Sequence, residues 1–219
     1  RLPSFDRKAM TEKTLEAPAW IHFGAGNIFR AFQANLMQSL LDEGLSDTGL
    51  IVAEGFDYEI VKKMYRPHDD LSILVTLKAD GQIEKTVIGS IARSLILDSN
   101  DLPEYEELKK IFRSPSLQMA SFTITEKGYS LVDGKGQLLP SVEKDFSKGS
   151  AQPESYIGKL TSLVYERFSA GKLPLALVSM DNCSHNGSKL YEAVHSFAKR
   201  WCENGLADPA FLSYLEDPA

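Results

Sequence analysis

Hydrophobic positions along this chain fall into two patterns, short continuous runs and runs with a repeat of three to four residues. Trp20-Ile21-His22-Phe23 is a strand-length apolar run. After the tight Gly24-Ala25-Gly26 turn, Ile28, Phe32, Leu36 and Leu40 recur every fourth residue, which predicts one amphipathic helix with these four on a single face. The helix runs out at Asp42-Glu43-Gly44. Gly49-Leu50-Ile51-Val52-Ala53-Glu54 is unbroken enough for a buried parallel strand. Ser72–Leu77 and Ile83–Ile88 flank Ala79-Asp80-Gly81-Gln82, where Asp-Gly signals a hairpin turn. A helix over 103–112 opens on Pro103 with acids in its first turn. A strand over 118–125, a surface loop over 130–152, a helix from Pro153 to Ala170 and a strand over 175–179 follow. A last helix carries Leu190, Val194, Phe197 and Trp201 and stops at Gly205. This order predicts an α/β fold: a Rossmann-like dinucleotide-binding domain over 19–219, mostly parallel, with helices on both faces and an antiparallel hairpin insertion. Residues 1–18, polar between Pro3 and Pro18, read as an extended or partly helical lead-in.

Composition narrows the picture rather than redrawing it. The 219 residues suffice for one sizeable domain or two small ones, with a dry core. The net charge of −6 argues against nucleic acid as a partner. The longest apolar runs are strand-length, so no membrane span is expected. Cys183 and Cys202 are far apart and outside any Cys-x-x-Cys pattern, which suits two free thiols in a reducing cytoplasm and no metal site. No leader is visible, and a start at Arg1 suggests a trimmed chain.

The chemistry concentrates at strand ends. Strand, Gly-x-Gly and helix form the phosphate-binding turn of dinucleotide folds, with cofactor contacts expected from Gly24, Ala25, Gly26, Asn27, Ile28, Phe29 and Arg30. The alternative is an ordinary glycine turn between core elements. Phe29 stands where the fingerprint's third glycine would permit close helix–strand packing, so the helix must sit differently or further from the sheet. Glu54 and Asp57, at the end of the second strand, are the acids expected to accept the adenosine ribose hydroxyls and to favour NAD over NADP, with Lys62 and Lys63 nearby complicating the electrostatics. Polar breaks at Thr125–Tyr129 and Asp181–Gly187 also follow strands. His22 reads as a core histidine, His185 as solvated, Lys127 as a surface lysine or a contact to substrate carboxylate or cofactor, and Arg30 as a pyrophosphate contact or a salt-bridging residue.

Four stretches together carry a family likeness: Phe23-Gly24-Ala25-Gly26-Asn27-Ile28-Phe29-Arg30-Ala31-Phe32-Gln33-Ala34, Tyr65-Arg66-Pro67-His68-Asp69-Asp70-Leu71-Ser72, Thr123-Ile124-Thr125-Glu126-Lys127-Gly128-Tyr129 and Ser179-Met180-Asp181-Asn182-Cys183-Ser184-His185-Asn186-Gly187. In them the chain resembles the mannitol dehydrogenase family of long-chain polyol and uronate dehydrogenases, most closely its mannonate oxidoreductase (fructuronate reductase) branch. The resemblance implies a metal-free, NAD-dependent secondary alcohol dehydrogenase acting on a sugar acid or polyol. It also implies a separate C-terminal helical domain that supplies a catalytic lysine, asparagine and histidine and that this chain does not include. Asn182 matches the family asparagine that helps polarise the substrate oxygen, a sensible task for an amide donor facing a developing alkoxide. Its other reading is a loop amide serving local backbone. Asp181 is expected to orient that loop, and Thr125 to lie by the nicotinamide. An S-adenosylmethionine-dependent methyltransferase, which also uses a glycine turn and a ribose acid, and a non-catalytic nucleotide-binding module are the competing readings.

Overall fold

The computed structural model describes residues 1–217; Pro218 and Ala219, the end of the domain expected over 19–219, lie outside the described residues. In chain order the elements are α1 (Arg7–Glu16), β1 (Trp20–Phe23), α2 (Asn27–Ala31), α3 (Gln33–Asp42), β2 (Leu50–Glu54), α4 (Tyr58–Ile60), β3 (Ser72–Leu77), β4 (Ile83–Ile88), β5 (Ile91–Ile96), α5 (Leu102–Arg113), β6 (Met119–Phe122), α6 (Thr125–Gly128), α7 (Pro140–Lys148), α8 (Tyr156–Ser169), β7 (Ala176–Ser179), α9 (Asn186–Glu203) and α10 (Ala210–Glu216). A π turn over Val61–Tyr65 and a 3-10 turn over Arg66–His68 continue α4. The chain forms two compact units, Arg1–Ile96 with Ser116–Thr123, and Leu97–Pro115 with Ile124 onward.

In the first unit four parallel strands lie in the order β5-β2-β1-β6. β1 pairs Ile21 with Ile51 on one side and with Ala120 on the other. Successive strands therefore run outward from β1 in both directions, which makes β1–β6 a switch point with a crevice at its carboxyl end. Leu50, Ile51, Val52 and Ala53 are all buried, as a strand covered on both faces requires. The hairpin β3–β4 is a separate antiparallel ribbon with Leu77 opposite Ile83. β5 was not legible in the sequence, because Arg93 and Ser94 interrupt its apolar run and two residues part it from β4.

The lead-in is part of this unit rather than a tail. Asp6 caps α1 by accepting the Ala9 N–H at 3.0 Å, and Met10 and Thr14 are buried. Thr14 Oγ1 accepts the Gly49 N–H at 2.8 Å, tying α1 to the start of β2.

The predicted single helix after the glycine turn breaks at Phe32 into α2 and α3. Its buried side is Phe29, Ala34, Met37 and Leu41, whereas Ile28, Phe32 and Leu36 are 62%, 69% and 58% exposed. The four-residue repeat picked the wrong face because Phe29, out of phase with it, is the side chain that enters the sheet.

In the second unit α8 is buried nearly all round, from Ile157 to Val164 and again at Arg167 and Phe168. The fully buried Arg167 guanidinium donates to the carbonyls of Phe112, Ser114 and Pro174, the last at 2.6 Å. The expected loop over 130–152 contains α7, which two apolar positions four apart, Val142 and Phe146, were too few to reveal. Its Asp145 is buried and accepts the Glu154 and Ser155 N–H groups and the Ser155 hydroxyl. Replacing Asp145 by Asn puts an NH2 among those donors. Urea unfolding should show about 2–3 kcal/mol of lost stability at an unchanged m value, and a loss below about 0.5 kcal/mol would remove Asp145 as the anchor of that loop.

Candidate functional site

The site in the first unit starts from Gly24, whose φ of +110° lies outside the range of other residues and whose added Cβ would meet the Thr123 carbonyl oxygen at 2.3 Å. Only glycine lets the β1 and β6 ends come this close. The Gly24 N–H donates to the Ala53 carbonyl at 2.9 Å, and the Ala25 carbonyl accepts the buried Tyr65 hydroxyl at 2.8 Å. Burial raises the Tyr65 pKa, keeping the phenol a donor. Gly26 is exposed, and a Cβ there would meet nothing within 4 Å. The N–H groups of Gly26, Asn27 and Ile28 take no partner among the described residues. Three unpaired donors around an open glycine turn form a cradle for an anionic oxygen.

The glycine missing from the fingerprint is replaced by a stack of rings. Phe29 is fully buried and lies parallel to the His22 imidazole, centroids 4.4 Å apart at 9°. This stack fills the gap between helix and strand. His22 is a core histidine: its Nδ1 is 2.7 Å from Ser121 Oγ and its Nε2 2.8 Å from Thr123 Oγ1, and burial lowers its pKa to about 3.

Glu54 has a task different from the ribose contact expected of it. It is buried; its Oε2 accepts the Ala25 N–H at 2.8 Å, and its Oε1 accepts the N–H groups of Gly55, Phe56 and Asp57 at 3.0, 2.8 and 3.3 Å. Those four bonds make the carboxylate a brace between the glycine turn and the turn after β2, three of them on Oε1 and one on Oε2. Asp57 is exposed and keeps one oxygen beyond the one that accepts the Glu59 N–H at 3.2 Å. Lys62 and Lys63 both pair with Glu59, at 3.8 and 2.9 Å, and Lys63 also feels the charge of Asp57. Arg30 sits over the Tyr65 ring at 5.7 Å and donates to Asn27 Oδ1.

In the second unit Asp181 organises the expected loop. Its oxygens accept the Ile124 and Thr125 N–H groups at 2.9 Å each, together with the Tyr129 hydroxyl. Thr125, exposed and at φ +64°, owes its left-handed backbone to that anchor. The Tyr129 hydroxyl is also 2.8 Å from Ser179 Oγ, and burial followed by the Asp181 hydrogen bond raises its pKa. Asn186, passed over in the sequence, serves the loop backbone, with Nδ2 donating to the Asp181 carbonyl at 2.8 Å. That leaves Asn182 exposed, its amide without a partner among the described residues. Lys127 and His185 are exposed. Cys183 and Cys202 are free thiols. Among the described residues no group of three or more His, Cys, Asp or Glu could hold a metal ion.

The parallel sheet, the switch point and the open glycine turn define a Rossmann-type dinucleotide-binding domain. The particular family follows from comparison: residues 18–218 match the mannitol dehydrogenase Rossmann domain, and the chain belongs to that family. It is 50% identical over 216 residues to the D-mannonate oxidoreductase of Thermotoga maritima, covering 99% of this chain and 40% of that protein. Among solved structures it is similar to a D-sorbitol dehydrogenase in substrate-free form (TM-score 0.79, 25% identity, 99% of this chain and 42% of that one). It also matches the fold of a Pseudomonas fluorescens mannitol 2-dehydrogenase in ternary complex with NAD and D-mannitol (TM-score 0.79, 24% identity, the same coverages). The chain thus spans about two fifths of the length of these relatives.

Two outcomes follow from the site's internal bonds. Glu54→Gln swaps two acceptor oxygens for one and points an NH2 at backbone donors. It should cost about 2 kcal/mol in urea unfolding, and an unchanged midpoint would dismiss the brace. His22 is neutral when folded and takes a proton at pH 6.5 when unfolded, so the unfolded state binds more protons below that pH and stability falls as pH drops. Unfolding free energy should decrease by about 1.6 kcal/mol more between pH 6.5 and 5 in the wild type than in His22→Gln. Parallel pH profiles for the two would contradict the buried, uncharged ring.

Proposed function

We propose that this chain is the cofactor-binding part of an NAD-dependent oxidoreductase that moves a hydride between nicotinamide and a sugar-derived secondary alcohol or ketone, with D-mannonate and D-fructuronate as the preferred pair. The observation that carries this is the open, Glu54-braced glycine turn in a chain half identical to a D-mannonate oxidoreductase. The residues fit the cofactor. Gly24 and Ala25 shape the turn, the N–H groups of Gly26, Asn27 and Ile28 hold the pyrophosphate, and Phe29 fixes the helix that presents them. Arg30, half-buried against Tyr65, offers the positive field beside that anion. Asp57 accepts the adenosine ribose hydroxyls, and its charge disfavours a 2′-phosphate, which selects NAD over NADP.

In the second unit Thr125 borders the nicotinamide, and Asn182 hydrogen-bonds the substrate oxygen as negative charge develops on it. Asn182 suits that task because Asn186 has taken over the backbone of its loop. The base and most of the substrate specificity belong to a helical domain outside this chain, in keeping with its coverage of 40% of the relative's length. We place the protein in the cytoplasm, with no nucleic-acid or membrane partner; among the described residues no helix is long and apolar enough to cross a membrane. The second reading is a mannitol/fructose-type polyol dehydrogenase with the same cofactor contacts, which the likeness to a D-sorbitol dehydrogenase favours.

The test is NADH oxidation by the complete gene product with fructuronate and, separately, fructose, with NADPH in place of NADH as control. Turnover of fructuronate alone supports the uronate pair, fructose turnover moves the protein to the polyol branch, and preference for NADPH overturns the role of Asp57. In that same protein Asn182→Ala should lower kcat by about a hundredfold with NADH affinity unchanged. Equal turnover would strip Asn182 of its role.

A further inference from the structure

Beneath the glycine turn, β1 and β6 carry a line of four polar or amphipathic side chains on one face of the sheet. Trp20 and His22 come from β1, Ser121 from β6 and Thr123 from the residue just past it, with His22 in register with Ser121. Trp20 Nε1 is 2.6 Å from Ser121 Oγ, which is 2.7 Å from His22 Nδ1, and His22 Nε2 is 2.8 Å from Thr123 Oγ1. The cofactor contacts assigned above leave this line unused.

The direction of these bonds is fixed by counting protons. An indole N–H only donates, so Ser121 Oγ must accept from Trp20. Ser121 is fully buried and has one proton of its own, and among the described residues the sole remaining partner is His22 Nδ1. Were Nδ1 protonated, that hydroxyl proton would be stranded in a dry sheet at the full desolvation penalty. Nδ1 therefore accepts, the single proton of the neutral ring sits on Nε2, and Nε2 donates to Thr123 Oγ1. Thr123 Oγ1 thus spends a lone pair on His22, while its own proton has no acceptor among the described residues. Thr123 is half-buried, and its Oγ1 lies 3.0 Å from where a Cβ on Gly24 would stand, at the edge of the turn. It is on the β6 side of the switch point, opposite the β2 side where Asp57 waits for the adenosine ribose.

We propose that the Thr123 hydroxyl is a hydrogen-bond donor to the ribose on the nicotinamide side of the bound dinucleotide, its proton turned outward by the one-way chain from Trp20 through Ser121 and His22. This rests on the cofactor reading above. The indole, the serine and the imidazole act as positioning groups, and Thr123 alone touches the ligand. The chain gives a physical reason for a histidine in a central strand: it is the one side chain there that accepts at one end, donates at the other and still stacks flat on Phe29.

The experiment titrates the complete gene product and its Thr123→Val and Thr123→Ser variants with NADH and with ADP, alongside thermal melts and 15N spectra of the His22 ring. Thr123→Val should weaken NADH about three- to tenfold, the range of one neutral hydrogen bond, and leave ADP unchanged, while Thr123→Ser restores NADH affinity. Unchanged NADH affinity in Thr123→Val, or equal loss for ADP and NADH, overturns the proposal while the cofactor reading stands. A wild type that binds no NADH removes both. The ring spectra need no variant: the wild type should show a protonated Nε2 and a bare Nδ1, and the opposite tautomer refutes the direction of the chain.

Discussion

One buried carboxylate sets the geometry of the first unit. Glu54 sits at the end of β2 and gathers four backbone N–H groups, one from the glycine turn after β1 and three from the turn that follows its own strand. Hydrogen bonds to a charged acceptor are roughly twice as strong as neutral ones, and four of them compensate the charge for its loss of water. The result is a fixed distance between the ends of β1 and β2. The same bonds tie Glu54 to the backbone, while Asp57 stands three residues on and in solvent.

A second constraint comes from Phe29. Where a third glycine would let helix and strand touch, the phenyl ring needs a partner of its own thickness, and His22 provides it. The helix that starts at Asn27 is consequently short and breaks at Phe32. Ala34, Met37 and Leu41 share the buried side with Phe29, and Ile28, Phe32 and Leu36 are left in solvent. The imidazole gains a use beyond packing, since its two nitrogens join hydroxyls that a phenylalanine would leave unpaired.

The second unit repeats the logic of the first with different residues. Asp181, like Glu54, spends both oxygens on backbone donors and one phenol, and so holds a strained Thr125 in place. Asn186 satisfies the loop carbonyls. Together they leave the exposed Asn182 amide without a partner among the described residues.

By itself the sequence determined the class of fold, the hairpin to the residue, the glycine turn, the oxidoreductase family and the loop bearing Asn182. Those features are local: strand runs, an Asp-Gly turn and glycine spacing write themselves into neighbouring residues. The tertiary structure decided which acid is free, which face of α2 and α3 is buried, and that β5 joins β2. Each of these depends on atoms far apart in the chain. Glu54 and Asp57 read alike until the Ala25 N–H is seen on the first, and Ile28 and Phe29 compete for the core until His22 is seen beneath one of them. Thr123 shows the difference most plainly, since its hydroxyl acquires a direction only when Trp20, His22 and Ser121 are brought alongside by parallel pairing of strands nearly a hundred residues apart.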